Sequence, residues 1–152
     1  MPGHLTNLLC HFIWSTKCRE PRVSPDWQDR LYGYIGGILS SKKCVLVCAG
    51  GMADHIHLLV SVHPLVSVSE LVNVVKSNSS KWVHETFEEQ REFAWQEGYA
   101  AFGVSCSVSE RVQEYIHSQP AHHAKRTFQE ELVEFLKKHG VQYDEQYLWG
   151  KG

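Results

Sequence analysis

Two histidines, His55 and His57, flank one isoleucine in the stretch ADHIHLLVSV, at the head of an apolar run typical of a buried strand. Side chains alternate between the two faces of a strand, so residues two apart point the same way. Both imidazoles therefore project from one face, with Cβ atoms roughly 7 Å apart. Neutral imidazole is the commonest metal ligand among side chains, so the pair could hold one metal ion. Two rings on an open sheet face in water would show the same spacing.

A third ligand would have to come from elsewhere in the chain, and the stretch EYIHSQP offers one. Tyr115 and Gln119 are four residues apart and would share one face of a helix. The amide oxygen of Gln119 is a hard ligand suited to Mg²⁺ or Mn²⁺. The hydroxyl of Tyr115 could be a nucleophile, but its ring also continues an apolar stripe typical of a buried helix face, with Val108, Val112 and Ile116. The residues alone leave both interpretations open.

The elements that would position these side chains follow from apolar periodicity and helix-start signals. Strands are predicted over residues 5–15, 43–49, 55–62 and 99–107. Helices are predicted over about 25–39, from the Ser67 capping box to about residue 86, from the Ser107 capping box to Ser118, and, after a capping box at Thr127, over 128–139. Gly50 and Gly51 are expected to form the tight reversal between the second and third strands.

The resulting order is β-α-β-β-α-β-α-α, and its first six elements match the split βαβ arrangement of ferredoxin-like and RRM-like folds. We therefore predict an α+β fold with an antiparallel four-stranded sheet, two helices on one face and two additional C-terminal helices. Extra elements on a common fold often carry its function. The length of 152 residues predicts a single domain over residues 1–152.

Composition narrows the class of protein. With 43% hydrophobic and 21% charged residues, the chain has globular composition, and no apolar run reaches the ~20 residues that a membrane span needs. Five cysteines without a C-x-x-C pair predict reduced thiols in a cytosolic protein. The net charge of −2 excludes a polycation that binds any nucleic acid by charge alone.

The two motifs can be compared with a known pattern. The triplet HIH at 55–57, followed by aliphatic residues, resembles the HUH motif, named for histidine, hydrophobic residue, histidine. The segment Y-I-x-x-Q at 115–119, followed by His122, His123 and TFQEEL, resembles the nucleophile helix of the single-tyrosine HUH transposases, the bacterial insertion-sequence and REP-associated family. FAWQEGYAAFGVS also resembles the fourth-strand region of that family. The resemblance spans nearly the whole chain, as far as YDEQYLW, and departs at Ala53, where relatives often have proline.

The resemblance implies a bacterial DNA transposase that cleaves and rejoins single-stranded DNA at hairpin-marked element ends. His55, His57 and Gln119 would bind Mg²⁺ or Mn²⁺, and Tyr115 would be the catalytic nucleophile that forms a 5′-phosphotyrosine intermediate. That intermediate keeps the bond energy, so no ATP would be needed, and the chain has no G-x-x-x-x-G-K-[ST] loop.

The resemblance also implies a homodimer with composite active sites. In that arrangement the helix bearing Tyr115 from one subunit would dock on the His55/His57 strand of the other, and exchange of an identical element is a low-cost route to a dimer. The same segment could instead fold back onto its own sheet.

Basic side chains suggest two surfaces for DNA. Lys76 and Lys81 enclose a polar stretch able to contact phosphates, and a second patch contains Lys17, Arg19 and Arg22. Solvated faces that bind nothing would have the same composition.

Two other functions remain compatible with the residues. A non-catalytic nucleic-acid-binding module would use exposed strand aromatics, as RRM domains do, but the RNP1 pattern of that class is absent from the sequence. A small metal enzyme that does not act on nucleic acid would leave Tyr115 with a structural role only. His122 and His123 could orient DNA or the site, or could be two exposed loop histidines. The other six histidines, among them His11, show no partner spacing and are expected on the surface or in loops.

Overall fold

A computed structural model describes residue 1 and residues 3–149, so positions 2 and 150–152 of the predicted domain lie outside the described residues. Four strands form one antiparallel sheet in the spatial order β2-β3-β1-β4. The strands are β1 (Leu9–Ser15), β2 (Val45–Met52), β3 (His55–Ser61) and β4 (Ala100–Val104). The helices are α1 (Gln28–Ser41), α2 (Val68–Thr86), α3 (Ser109–His117), α4 (Gln119–His123), α5 (Phe128–Lys138) and α6 (Glu145–Leu148). The predicted α+β fold with a four-stranded antiparallel sheet is confirmed.

Different helices cover the two faces of the sheet. The first face forms a buried core with α1 and α2, to which the strands contribute Phe12, Trp14, Ile56, Leu58 and Val60. The second face packs against α5 through Ile13 and against α3 through Leu59. Because side chains alternate along β3, the histidines share this second face and lie beneath the C-terminal helices. In the part of the chain that the structure describes, no helix combines the length and apolarity that a membrane crossing requires.

Two of the helix starts follow the predicted capping boxes. The hydroxyl of Ser67 accepts a hydrogen bond from the backbone N–H of Glu70 at 3.2 Å, and Thr127 caps Glu130 at the same distance. The first helix begins at Gln28, later than predicted, because the segment after Ser24 first forms a turn.

The predicted helix from Ser107 to Ser118 is divided differently in the structure. A 3-10 turn over Cys106–Val108 precedes α3, which begins at Ser109 without a side-chain cap. The α3 helix ends at His117, and α4 begins at Gln119 with Pro120 in its first turn. Proline is tolerated there because the first N–H groups of a helix have no intrahelical acceptor.

Gly50 does not form a reversal. The β2 strand continues to Met52, Gly50 pairs with His57, and the turn consists of Ala53 and Asp54, so the predicted reversal is wrong. A Cβ atom on Gly50 would lie 2.2 Å from the carbonyl oxygen of Ile116 in α3. A glycine is needed at this position because the backbone of α3 packs directly against the strand.

We expect Gly50→Ala to push α3 away from the sheet and to lower the free energy of unfolding by about 1–3 kcal/mol, the usual cost of overpacking. Gly37→Ala is the matched control, because a Cβ atom there would meet no atom within 4 Å. That change within α1 should raise the free energy of unfolding by about 0.5–1 kcal/mol. Urea unfolding of both variants makes the comparison, and equal stability would contradict the close approach of α3.

Candidate metal and nucleophile site

His55 and His57 are both buried, with 1% and 0% of their surface exposed. They lie opposite Ser15 and Ile13 of β1, which fixes their position near the centre of the sheet. Rings on an open, wet sheet face are therefore excluded as an explanation of the spacing. Buried polar side chains need partners, and the C-terminal helices supply them.

Five side chains direct a ring nitrogen or an oxygen towards one point on this face. Oε1 of Glu131 lies 2.9 Å from Nε2 of His57, 3.5 Å from Nε2 of His55 and 3.3 Å from Nε2 of His123. Oε1 of Gln119 lies 3.0 Å from Nε2 of His55 and 2.9 Å from Nε2 of His123. The donor atoms of the three histidines and Glu131 all lie within 4.8 Å of one another.

The outer ring nitrogens of two histidines donate to oxygen acceptors. Nδ1 of His55 donates to Oδ1 of Asp54 at 2.7 Å, and Nδ1 of His123 donates to the carbonyl oxygen of Arg126 at 3.0 Å. Each bond places the proton on the outer nitrogen and leaves the lone pair of Nε2 facing inwards, as in histidines that bind metals. Nε2 of His55 then faces the amide oxygen of Gln119, and two acceptors in contact need a cation or a proton between them.

The outer ring nitrogen of His57, Nδ1, is hydrogen-bonded to another histidine and not to an oxygen. It lies 2.8 Å from Nε2 of His11. His11 is 2% exposed, so the expectation that it lies on the surface or in a loop is wrong. Burial, reinforced by the neighbouring His57, lowers the pKa of His11 to about 3. A neutral His11 can accept a hydrogen bond from the Nδ1–H of His57. In that tautomer the lone pair of Nε2 of His57 would be free to bind a cation.

Charge in the cluster also suits a cation. Burial alone would raise the pKa of Glu131, but its hydrogen bonds with His57 and Tyr115 outweigh burial and hold the pKa of this carboxyl well below its usual range. Burial lowers the pKa of His57 in spite of the bond to Glu131. An anionic Glu131 beside a neutral His57 is the protonation state that metal binding requires of these two ligands. The residues therefore fit a divalent metal ion.

Tyr115 hydrogen-bonds with the same carboxylate. Its hydroxyl donates to Oε2 of Glu131 and accepts from Nη2 of Arg126 at 2.8 Å. The ring stacks on His122 with centroids 4.4 Å apart. Burial and the bond to Glu131 raise the pKa of Tyr115, while the charge of Arg126 opposes the rise. The carboxylate of Glu131 therefore connects the phenolic oxygen of Tyr115, through Oε2, to the histidines, through Oε1.

The structure brings Tyr115 and Gln119 together, although they do not share one continuous helix. The break at Ser118 separates α3 from α4. Nε2 of Gln119 still donates to the carbonyl oxygen of Tyr115 at 3.4 Å and to Oε2 of Glu131 at 3.2 Å.

Sequence reasoning missed Glu131 and left His123 as a possible exposed loop residue. One signal could have found Glu131: it occupies the apolar stripe of α5, between Phe128 and Phe135 at spacings of three and four residues. A carboxylate at a buried stripe position needs a partner on the facing surface. The contact between His11 and His57 was harder to predict from the sequence, because it depends on the register between β1 and β3.

Among the predicted DNA-contacting residues, Lys76 forms hydrogen bonds within the protein. Its ammonium donates to the carbonyl oxygens of Gln96, at 2.9 Å, and Gly98, and it lies 5.5 Å above the Trp14 ring. Burial lowers the pKa of Lys76 to about 8. A phosphate contact by Lys76 would require these bonds to break. The contact between Lys76 and DNA stays a prediction.

The other four predicted DNA contacts stay predictions. Lys81 is exposed and lies 3.9 Å from Glu85, and Lys17 is exposed in the segment after β1. Arg19 lies 5.5 Å above the ring of Trp149. Arg22 forms ion pairs with two carboxylates, those of Glu20 and Glu92.

Known proteins are similar to this chain in sequence. The family model for IS200-like transposases matches residues 4–119. The ISDra2 transposase TnpA of Deinococcus radiodurans is 25% identical over 122 residues, which cover 77% of this chain and 87% of the relative. The transposase for insertion sequence element IS200 of Salmonella typhimurium is 27% identical over 119 residues, covering 74% of this chain and 77% of the relative.

Two solved structures share the fold. A crystal structure described as a transposase from D. radiodurans R1 matches with a TM-score of 0.65 at 25% identity, over 76% of this chain and 93% of the other. A REP-associated tyrosine transposase bound to a REP hairpin matches with a TM-score of 0.61 at 12% identity, over 100% and 96% of the two chains, which shows a common fold. Fold and relatives together define a DNA transposase, an enzyme of DNA recombination. The chain belongs to the IS200-like transposase family.

Proposed function

We propose that this transposase cleaves and rejoins single-stranded DNA through a covalent intermediate on Tyr115. The observation that carries the proposal is the shared carboxylate of Glu131, which bonds Tyr115 through one oxygen and faces the three histidines with the other. A phosphate attacked by the phenolic oxygen would therefore lie beside the metal-binding donors. The solved REP-associated relative is bound to a REP hairpin, which supports DNA hairpins at element ends as the substrate class.

We further propose Mg²⁺ or Mn²⁺ as the ion, held by His55, His57 and Gln119, with His123 and Glu131 as two additional donors. Three imidazoles favour Mn²⁺ of the two, because Mg²⁺ prefers oxygen ligands and keeps several waters. Bound there, the ion would supply a Lewis acid that withdraws charge from the phosphate.

The chain's own residues orient the attack. Glu131 and Arg126 fix the phenolic oxygen of Tyr115 from two sides, one accepting and one donating a hydrogen bond. A new bond joins that oxygen to phosphorus, and the bond from phosphorus to the 3′ oxygen of the DNA breaks. The phenol loses one proton and the 3′ oxygen gains one, so the step is balanced and leaves a 5′-phosphotyrosine and a free 3′-OH. The reverse attack by another 3′-OH rejoins the strand without ATP.

Covalent linkage to DNA is the experiment that tests this function. Oligonucleotides covering the DNA that flanks the gene, labelled at either end, are incubated with the protein and Mn²⁺ and separated under denaturing conditions. A 3′ label should migrate with the protein, and a 5′ label should appear on a shorter free strand. Metal-independent binding without any adduct would favour the non-catalytic nucleic-acid-binding module instead.

Chelation separates a catalytic ion from a structural one. We expect EDTA to abolish adduct formation and Mn²⁺ to restore it, with little change in the melting temperature, because Glu131 remains hydrogen-bonded by His57, Gln119 and Tyr115 without an ion. Thermal melts monitored by circular dichroism make the second measurement. Unfolding caused by EDTA alone would show that the ion is structural.

The packing of α3 supports assembly of the site within one chain. In the described structure α3 packs on its own sheet, with Ile116 against Gly50 and Tyr115 bonded to Glu131. We therefore propose that the site assembles within a chain, which is the fold-back alternative to the swapped homodimer. The homodimer itself, the single domain over 1–152 and the cytoplasmic location stay predictions.

A mixture of two inactive chains tests this assembly. When a His57→Ala chain and a Tyr115→Phe chain exchange subunits, we expect no recovery of cleavage, because each site keeps one defect. A swapped dimer would combine an intact His57 with an intact Tyr115 in one of its two sites, so recovered cleavage would contradict assembly within a chain. Two affinity tags purified in sequence confirm that any heterodimer tested contains both chains.

A further inference from the structure

A cavity of about 500 Å³ lies between α3 and α5, and Tyr115 forms part of its wall. Its volume falls within the usual range of ligand-binding pockets. The apolar part of the wall includes Val104, Val112 and Phe135. The cavity gives a ligand access to the nucleophile from the side of α5.

The cavity wall carries an excess of positive charge. Arg111, Arg126 and Lys138 all line it, and the carboxylate among its lining residues, Glu134, is ion-paired with Arg126. The whole chain has a net charge of −2, so this positive surface is a local feature and not a general property. A concave surface of one sign concentrates a ligand of the opposite sign.

Arg126 connects the cavity to the reacting groups. Nη2 of Arg126 lies 2.8 Å from the phenolic oxygen of Tyr115, and the carbonyl oxygen of Arg126 accepts the hydrogen bond from His123 at 3.0 Å. The guanidinium is therefore held at the nucleophile by the same turn that orients a metal-binding donor. Guanidinium groups match phosphate geometry with two parallel hydrogen bonds.

We propose that this cavity is a phosphate-binding channel for the single strand that reaches Tyr115. Arg126 contacts the phosphate that Tyr115 attacks, and Arg111 and Lys138 each contact one further phosphate of the same strand. The inference rests on the proposed function and adds the path of the substrate to it. Arg126 and Lys138 lie beyond residues 4–119, so the channel uses a segment that the family model does not cover.

Equilibrium binding tests the channel separately from catalysis. All variants carry Tyr115→Phe, so that no strand is cleaved, and the probe is a short fluorescein-labelled oligothymidylate at several salt concentrations. We expect Arg111→Gln with Lys138→Gln to weaken binding and to reduce the slope of log affinity against log salt by about 1.4, which is about 0.7 for each lost phosphate contact to a single strand.

The matched control is Lys125→Gln with Lys137→Gln. Both lysines are exposed and outside the cavity wall, the net charge changes equally, and Lys137 and Lys138 lie in the same last turn of α5. The control variant should show the same slope of log affinity against log salt as the protein that carries Tyr115→Phe alone. Equal slopes for the two double variants, or an unchanged slope for the cavity variant, would overturn the channel.

The role of Arg126 at the attacked phosphate is tested by the rate at which the covalent adduct forms. The substrate is the oligonucleotide from the flanking DNA that the protein cleaves. Arg126→Gln should slow the adduct by about 100-fold or more, the usual cost of losing one donor at the reacting atoms, with a much smaller change in oligothymidylate affinity. Arg126→Lys should recover part of the rate. An unchanged rate in Arg126→Gln would remove Arg126 from the reaction, whereas the absence of any adduct with Arg126 and Tyr115 intact would refute the proposed function itself.

Discussion

Tyr115→Phe should abolish the covalent protein–DNA adduct completely while leaving a folded protein that still binds hairpin DNA. Phenylalanine keeps the ring, which stacks on His122 and contacts Phe135 edge-on with centroids 5.5 Å apart. It removes the hydroxyl, and with it the oxygen that would attack phosphorus. The bonds to Glu131 and Arg126 are also lost, at a cost in the free energy of unfolding of about 1.5–3 kcal/mol, the usual contribution of a hydrogen bond to a charged group.

The control for this result is Tyr147→Phe. Tyr147 lies in α6, is 72% exposed, and should tolerate the change with full adduct formation. Denaturing gels with a 3′-labelled hairpin oligonucleotide measure the adduct, and a mobility shift measures binding. An adduct that persists in Tyr115→Phe through a different tyrosine would refute the assignment of the nucleophile.

His57→Ala should have the second largest effect, the loss of both metal binding and cleavage. Substitution of residues that only support metal ligands costs about 10- to 100-fold in affinity, so loss of a direct donor should cost at least about 100-fold. The change also leaves Oε1 of Glu131 and Nε2 of His11 without their closest partner in a buried site. We therefore expect the free energy of unfolding to fall by about 1–3 kcal/mol or more, the cost of leaving a buried charged acceptor without its hydrogen bond.

Titration calorimetry with Mn²⁺ and urea unfolding measure the two effects of His57→Ala. His117→Ala is the matched control, since His117 is exposed in the last turn of α3 and should affect neither quantity. His57→Gln keeps a polar group beside His11 and Glu131, so it should lose metal affinity with a smaller loss of stability. Unchanged Mn²⁺ affinity in both variants would contradict a metal site at His57.

Local periodicity explains why much of the fold could be predicted from the sequence. Alternation along a strand placed His55 and His57 on one face, and the capping boxes at Ser67 and Thr127 marked two helix starts within one residue. These patterns depend on backbone geometry over a few residues, so they need no knowledge of what lies above the sheet.

The remaining features depend on contacts between distant segments. Gly50 was interpreted as a turn glycine because the docking of α3 against β2 leaves no trace in the local sequence. Lys76 was assigned to DNA, although its ammonium donates to the carbonyl oxygens of Gln96 and Gly98, which are 20 and 22 positions away in the sequence. Glu131 follows a capping box, where a carboxylate usually points to solvent, and only the packing of α5 directs it to His57.

The separation of Glu131 from His57 by 74 positions has a consequence for synthesis of the protein. All four strands are complete at Val104, but Gln119, His123 and Glu131 emerge from the ribosome later, because they follow the last strand. Chains acquire structure from the N-terminus during translation. A nascent chain that ends before Gln119 therefore lacks three of the five side chains of the candidate metal site, and under the proposed function it should be unable to cut DNA.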